Sequence, residues 1–376
     1  MGRGLLITVT LIVGVYSLIV ISMQERKTQI VRQNVDRARE IQARNAAYSG
    51  VDLAIHDLKE NNWDYNSFGS QRRYKLGESS VSIQLNTPLN SAVAYNQLRV
   101  ISTGISGQVK KDVSALMNTN MPTPQAAMAF YGNNDVNFNA NGNAFQINGN
   151  DTDPDGGSGT APSIPGVAAQ DSNAYQGFQN GLQGNQGNNI KGKGGTPSMA
   201  VEPTMDPKSL QQEVNNWTQN ADNTIGNSNS NNNNKKKKGP PSKGKKMNSV
   251  QWGDENDPEI TVVNEDIEIA GNSEGYGILV VRNNASITVK GNFNFKGLLL
   301  TNGQDMALDA RGNTKLYGSV ISLPDQNCGT TENGCNTSVS LSGNIDMFYS
   351  SETLTKTQSG LSNQLNIEYT KANIYD

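Results

Sequence analysis

The hydrophobic positions change period along the chain. From Leu5 to Ser22 the sequence reads LLITVTLIVGVYSLIVIS, with no charged side chain. A run this apolar on every side reaches the lower end of the length that crosses a bilayer as a helix. It leads into Ile-Ser-Met-Gln, not the small-x-small pattern of a cleavable secretory signal, so the segment is expected to be retained. The alternative is a buried helix of a soluble protein. No Pro interrupts Met23 to Leu58, and no Gly occurs there before Gly50. Val31, Val35, Ala38, Ile41 and Ala46 recur near helical spacing, continued by Val51, Ile55 and Leu58, with Arg32, Asn34, Asp36, Arg37 and Arg39 between them. One continuous helix is predicted, apolar all round at first and amphipathic afterwards, about 84 Å long at 1.5 Å per residue.

After a loop at Asn61–Tyr65 the pattern becomes alternating. Ser80–Leu85, Gln97–Thr103 and Gln108–Leu116 read as half-buried strands, with Gly104 and Gly107 marking the turn between the last two. Further on, AAMAFYG and VNFNANGNAFQING carry strand signals among Gly and Asn. A short amphipathic helix is predicted from Pro207 to Asn220, with Asp206 as N-cap, Pro207 in the first turn, and Leu210, Val214 and Trp217 on one face. The run NSNSNNNNKKKKGPPSKGKK has no apolar anchor, so Asn220 to Ser249 is expected to stay disordered.

From Gln251 a repeat emerges. Gly-Asn recurs at Gly271, Gly291, Gly312 and Gly343, in steps of 20, 21 and 31 residues, each followed by alternating apolar positions. The longest step contains a Cys-bearing loop, 324–337. A period near twenty suggests stacked coils of a β-solenoid. The alternative is an ordinary antiparallel sheet with similar hairpin turns. The expected organisation is a transmembrane and long helix over 1–60, an antiparallel sheet over 61–118 and a Gly/Asn-rich β and loop region over 119–205. A short helix with a disordered insert follows over 206–250, then a β-repeat domain over 251–376. The fold class is α+β: long N-terminal helix, antiparallel sheet, then a β-rich C-terminal domain.

Composition narrows the function. Only 35% of residues are hydrophobic and 6% aromatic, thin for one large core and suited to several small β units. The net charge of -3 excludes a chain-wide electrostatic nucleic-acid binder, and no specific nucleic acid is expected as a partner. One His and two Cys leave no zinc ligand set. Cys328 and Cys335 flank the turn-rich GTTENG and are read as a local disulfide, which would contribute about 2–3 kcal/mol and place this part of the chain in an oxidising compartment. Two free thiols in a reducing cytosol are the alternative.

The helix followed by an antiparallel meander resembles the type IV pilins and pseudopilins, and in particular their PilX-like branch. The residues that carry this are Glu25-Arg26, Arg37-Ala38-Arg39, and the small-residue face within Asn45–Ile55. Asn148–Gly156, the Trp217 helix, and Gly275–Val281 through Lys296–Leu300 fall in the order of a PilX-like tail. The resemblance implies a structural minor pilin or pseudopilin with no enzymatic activity. Its partners would be other pilin-like subunits and the inner membrane, with a surface or glycan as a further ligand. It makes Gly4, preceded by Arg3, the candidate prepilin-peptidase site, with Leu5 as the first mature residue. The fifth residue after Gly4 is Val9, where most pilins carry Glu; that departure resembles pseudopilins at a filament tip. Counting Arg26, Lys27 and Arg32 against Arg3 would keep the C-terminal part inside the cell, whereas the cysteine pair and the resemblance place it outside.

Other candidate sites each have a plain reading. Asp151, Asp153 and Asp155, followed by Gly156, match the start of a calcium loop, but Pro162 stands where a bidentate Glu would close it; a solvated acidic turn is the alternative. Lys235–Lys238, Lys243, Lys245 and Lys246 suit DNA, anionic lipid or polysaccharide, or simply an exposed loop. His56 has no nucleophile elbow near it. A sugar-cleaving solenoid would use paired acids such as Asp305 and Asp309, at expected loop positions; two acids in a Gly-rich region are common by chance. The second functional reading is a membrane-anchored adhesin that binds glycan or DNA without assembling into a filament. Intact-mass alkylation of non-reduced protein tests the cysteine reading: no free thiol is expected, and labelling of both Cys328 and Cys335 would remove the bond and much of the case for export.

Overall fold

The computed structural model describes residues 2–61, 68, 71–87, 97–119, 124–132, 135–142, 144–226, 245–282, 285–303, 305–324, 336–362, 364–365 and 369–375. The expected disulfide of Cys328 and Cys335 and the lysines Lys235–Lys238 and Lys243 lie outside the described residues. The first element, α1 (Gly2–Glu60), is one unbroken helix of 59 residues, about 88 Å long.

An antiparallel sheet follows: β1 (Arg72–Leu76), β2 (Ser79–Asn86), β3 (Gln97–Ser106) and β4 (Val109–Thr119), each paired with the next. The alternating pattern forms the strands because one face of the sheet is buried, with Val81, Ile83, Leu98, Val100, Val113 and Ala115 inward. The turn between β3 and β4 is at Gly107 alone, where φ is +60°; Gly104 lies inside β3 and does something else, described below. Arg72–Leu76 carries too few apolar residues to stand out as a strand in the sequence.

Everything between β4 and the end of the chain first builds a second body, a 16-stranded sheet whose named strands all pair in parallel. The first arm comprises β5 (Met128–Phe130), β6 (Asp135–Asn141), β7 (Phe145–Asn148), β8 (Val167–Ala169), α2 (Ser172–Gly181), β9 (Ile190–Lys191) and β10 (Met199–Val201). Next come α3 (Pro207–Gln219) and β11 (Asn223–Ile225). The second arm holds β12 (Lys245–Asn248), β13 (Gln251–Trp252), β14 (Glu259–Val263), β15 (Ile267–Ala270), β16 (Asn272–Arg282), β17 (Ile287–Val289), β18 (Asn292–Asn302), β19 (Asp305–Leu323) and β20 (Asn336–Tyr349). The exit is α4 (Ser351–Gly360), and β21 (Tyr369–Tyr375) is the last strand.

The parallel strands form three flanks. One runs β11, β14, the second half of β16, β18 and β19, then β5, β8 and β10. The second runs β13, the first half of β16 and of β18, the middle of β19, then β20, β7 and β9. The third runs β12, β15, β17, the start of β19, the start of β20, and β6. The chain therefore enters mid-stack at β5, builds outward to β10, crosses by α3 to the far end, and winds back until β20 meets β6 and β7. The several small β units expected from composition are replaced by one continuous stack. Its narrow cross-section needs few side chains inside, because parallel backbone ladders carry most of the polar pairing.

The repeat sits in register. Asn272, Asn292, Asn313 and Asn344 are paired neighbours, and each amide donates to the one below: Asn292 Nδ2 to Asn272 Oδ1 at 3.0 Å, Asn313 to Asn292 at 3.3 Å, and Asn344 to Asn313 at 3.1 Å. At the corner between the second and first flanks, Gly277, Gly297 and Gly318 stack with φ of +134°, +137° and +137°. Inward columns such as Phe295, Leu316, Met347, Ile147 and Ile190 fill the interior.

Three expectations change. The disordered insert is bounded by strands at both ends: Asn223–Ile225 pairs with β14 and Lys245–Asn248 with β15, because their backbones complete end coils and Ile225 is buried there. Asp305 and Asp309 lie in β19, not in loops. Tyr369–Tyr375, grouped in the sequence with 251–376, leaves the stack and pairs antiparallel with β4, Tyr369 opposite Thr119. The stack is thus an insertion between two adjacent strands of the first sheet.

The glycine corner gives a stability prediction. A Cβ at Gly297 would lie 1.9 Å from the Gly277 carbonyl oxygen, in a φ region that L side chains avoid. Gly297→Ala is expected to destabilise by about 3 kcal/mol. Gly77→Ala, at φ +61° with open space around it, should cost about 1 kcal/mol. Denaturant unfolding of the two variants checks the difference; equal losses would contradict the tight stacking.

Candidate assembly surface

Two halves of α1 have different surroundings. Among the described residues it is the one helix long and apolar enough to cross a membrane, and none of the residues in its apolar window is buried in the chain. Ile7, Leu11, Ile12, Val15, Tyr16 and Leu18 are all exposed. Exposure continues past this stretch: Ile30, Val31, Val35 and Ile41 also face outward. Only from Ala43 does the sheet cover the helix, burying Ala43, Ala47, Gly50, Val51, Ala54 and Leu58. The amphipathic pattern noted from Val31 onward therefore marks two surfaces. The later part is buried against β2, β3 and β4, and the apolar residues of the earlier part stay exposed, with only polar contacts to the sheet at its end.

The docked half lies close to the sheet because its contact residues are small. A Cβ on Gly104 would fall 1.9 Å from Ala43 O and 2.6 Å from Ala47 N, both backbone atoms. A Cβ on Gly50 would fall 2.1 Å from Ser102 Oγ and 2.4 Å from Val81 Cγ2. The strand backbone reaches the helix backbone through Gly104, and Gly50 makes room in the helix for the Ser102 and Val81 side chains. Sequence reading assigned Gly104 to a turn; a lone Gly inside an alternating strand is the signal that could have found this approach.

Polar contacts fix the docking at both ends. Lys111 Nζ meets Glu40 Oε1 at 2.5 Å, and Ser106 Oγ donates to Gln42 Oε1 at 2.9 Å. The Lys111 hydrogen bond, with its charge, holds the Glu40 carboxyl below the usual carboxylate range. At the other end Arg72 Nη1 bonds Asp57 Oδ2 at 2.8 Å, and the Tyr74 hydroxyl donates to the same oxygen. His56, beside Asp57, is exposed.

The remaining sequence candidates lie elsewhere. Gly4 and Leu5 are in the first turns of α1. Asp151 is buried and committed to the chain: Ser351 N and Ser351 Oγ donate to its two oxygens at 2.8 Å each, and Ala161 N also donates to Oδ2 at 2.8 Å. It ties the start of α4 to the first arm. Asp153 Oδ1 accepts from Asp155 N at 2.8 Å, an Asx turn. The three carboxylates do not converge, and among the described residues no group of three or more His, Cys, Asp or Glu could hold a metal. The predicted short helix is α3, with Asp206 accepting from Lys208 N and Ser209 N, and Leu210, Val214 and Trp217 buried. Sequence reading missed α2 and α4; their signals are the N-caps Asp171 and Ser350, which stand before segments poor in apolar residues.

No protein-family model matches the chain, and no curated protein does. Among solved structures, the competence-associated pilin ComZ from Thermus thermophilus aligns over 81% of this chain and 92% of its own, at 14% identity and a TM-score of 0.21. A superposition that loose carries no weight for this chain, whose architecture is read from its own strand order and register.

The close approach at Gly104 makes a testable contact. Gly104→Val is expected to push α1 from β3 at a cost of about 3 kcal/mol. Amide hydrogen exchange over 43–58 should quicken while helix content stays. Gly14→Ala, where nothing lies within 4 Å of the added Cβ, should change neither. Unchanged protection in Gly104→Val would contradict the tight docking.

Proposed function

We propose that this chain is a structural minor pilin or pseudopilin, held in the inner membrane by its N-terminal helix and then assembled through that helix into a type IV pilus or type II secretion-like filament. One observation carries the reading: an unbroken helix is docked by its second half on an antiparallel sheet, while its first half exposes an apolar surface that none of the described residues covers. Such a surface is costly in water, about 25 cal/mol per Å² of apolar area. A bilayer removes it from water before assembly, and neighbouring helices do so in a filament core. The exposed Val31, Val35 and Ile41 extend the apolar surface beyond the membrane-length run, where only protein neighbours can cover them. The stack is then displayed outside the cell as an insert on the sheet, a place for a surface or glycan ligand. The chain works by packing and display, not by catalysis. Gly4 is the proposed processing site and Leu5 the first residue after it.

Val15→Asp tests the double use of the apolar half. A carboxylate at its centre costs about 2.5–3.5 kcal/mol in a bilayer and lacks a partner in a helical core. Loss from both the membrane and the sheared filament fraction is expected. Gly4→Glu should leave the anchor and stop assembly; a Gly4→Glu chain that assembles normally would rule out prepilin-type processing there and favour an anchored adhesin.

A further inference from the structure

The asparagine ladder of the second flank stops at a groove. Its amides run in one direction, each Nδ2 bonded to the Oδ1 of the coil below, as far as Asn344. The next rung, one residue before the Ile345–Phe145 pair, is Ala144. At this interruption lies a depression of about 450 Å³, lined among others by Asn344, Ala144, Lys315, Asp346, Gln146 and Lys191. Lys315, Asp346 and Gln146 are successive paired neighbours across its floor, with rungs about 4.8 Å apart.

We propose that this groove binds a neutral oligosaccharide, lying across the coils where the ladder is interrupted. The chemistry of the lining selects the class. Asn344 Oδ1, the free end of the ladder, accepts no hydrogen bond among the described residues, and neither does the Asp346 carboxylate. Burial pushes the Asp346 carboxyl up, with Lys315 opposing, so a ligand that donates hydrogen bonds to it relieves a partly desolvated group. Lys315 and Lys191 supply donors on either side, and Gln146 supplies both kinds. An anion would meet Asp346. A divalent cation would meet two lysines and a single carboxylate. An apolar ligand would strand the amide and the carboxylate without partners. A sugar ring offers a donor and an acceptor at each hydroxyl and matches this alternation without net charge. The site is independent of filament assembly and stands even if the chain remains only anchored.

The test uses the full chain in detergent on a printed panel of oligosaccharides of neutral hexoses, N-acetylhexosamines and uronates, with an extended Gly/Ser-rich peptide as a non-sugar control. Neutral members should bind. Asp346→Asn and Gln146→Ala should each weaken binding tenfold or more. Ala144→Asn, which restores the missing rung, should abolish binding while the unfolding midpoint stays level or rises. The rung variant separates a filled groove from a damaged fold. Absence of binding by any neutral sugar, a preference for uronates or for the peptide, or undiminished binding by Ala144→Asn would each overturn the proposal.

Discussion

The structure depends on the close approach of α1 to the sheet, where Gly104 of β3 lies against the helix backbone at Ala43 and Ala47 and Gly50 of the helix lies against the side chains of Ser102 and Val81, neither glycine having room for a side chain. Dispersion falls steeply with separation, so a helix seated this closely gains from many atoms of small residues what larger residues would gain from a few. The contact also divides the helix. From Ala43 onward the helix is buried against the sheet, Glu40 and Gln42 make the last polar contacts with it, and the apolar stretch before them projects by tens of ångströms. An unsupported apolar rod of that length is stable only with external partners. The rigid joint at its far end fixes where the rest of the molecule stands relative to them.

The large stack hangs from the same sheet by an arrangement the linear order conceals. Thr119 and Tyr369 are opposite each other in adjacent antiparallel strands, so the stack leaves and returns at one point. Its two arms close at β20, which pairs with β19 from one arm and with β6 and β7 from the other. Asp151 reinforces this joint by holding the N-terminus of α4, and α4 then packs along β19, β18 and β16, with Lys356 bridging Glu352 and Glu255. The first arm thus stabilises the exit of the second. Neither arm is capped by itself at the joint, so the stack is expected to fold as one unit after the whole chain is available.

What the sequence revealed follows from period and local chemistry. The long helix is visible because nothing breaks it, the α3 cap because Asp206-Pro207 is a local signal, and the coil repeat because Gly-Asn recurs at each corner. Parallel pairing in the stack was not decided by the repeat alone, since hairpin turns use the same residues; it is the register of Asn272, Asn292, Asn313 and Asn344 that decides it. The return of Tyr369–Tyr375 to β4 and the composite joint at β20 are long-range pairings with no local mark. The acidic run Asp151–Asp155 is ambiguous in sequence because alternating carboxylates serve turns and caps as well as cations; Asp151 is used by Ser351, two hundred residues away. The groove at Ala144 was hidden for a similar reason: an alanine among asparagines means nothing until the ladder is seen.

The central claim is that the exposed half of α1 is covered by copies or relatives of itself in a filament. The most direct measurement is fractionation of cells carrying the unaltered chain, comparing sheared surface filaments with washed inner membrane by immunoblot. The account predicts the chain in both fractions, as anchored precursor and as filament subunit. Its confinement to the membrane while filaments shear away without it would contradict the account.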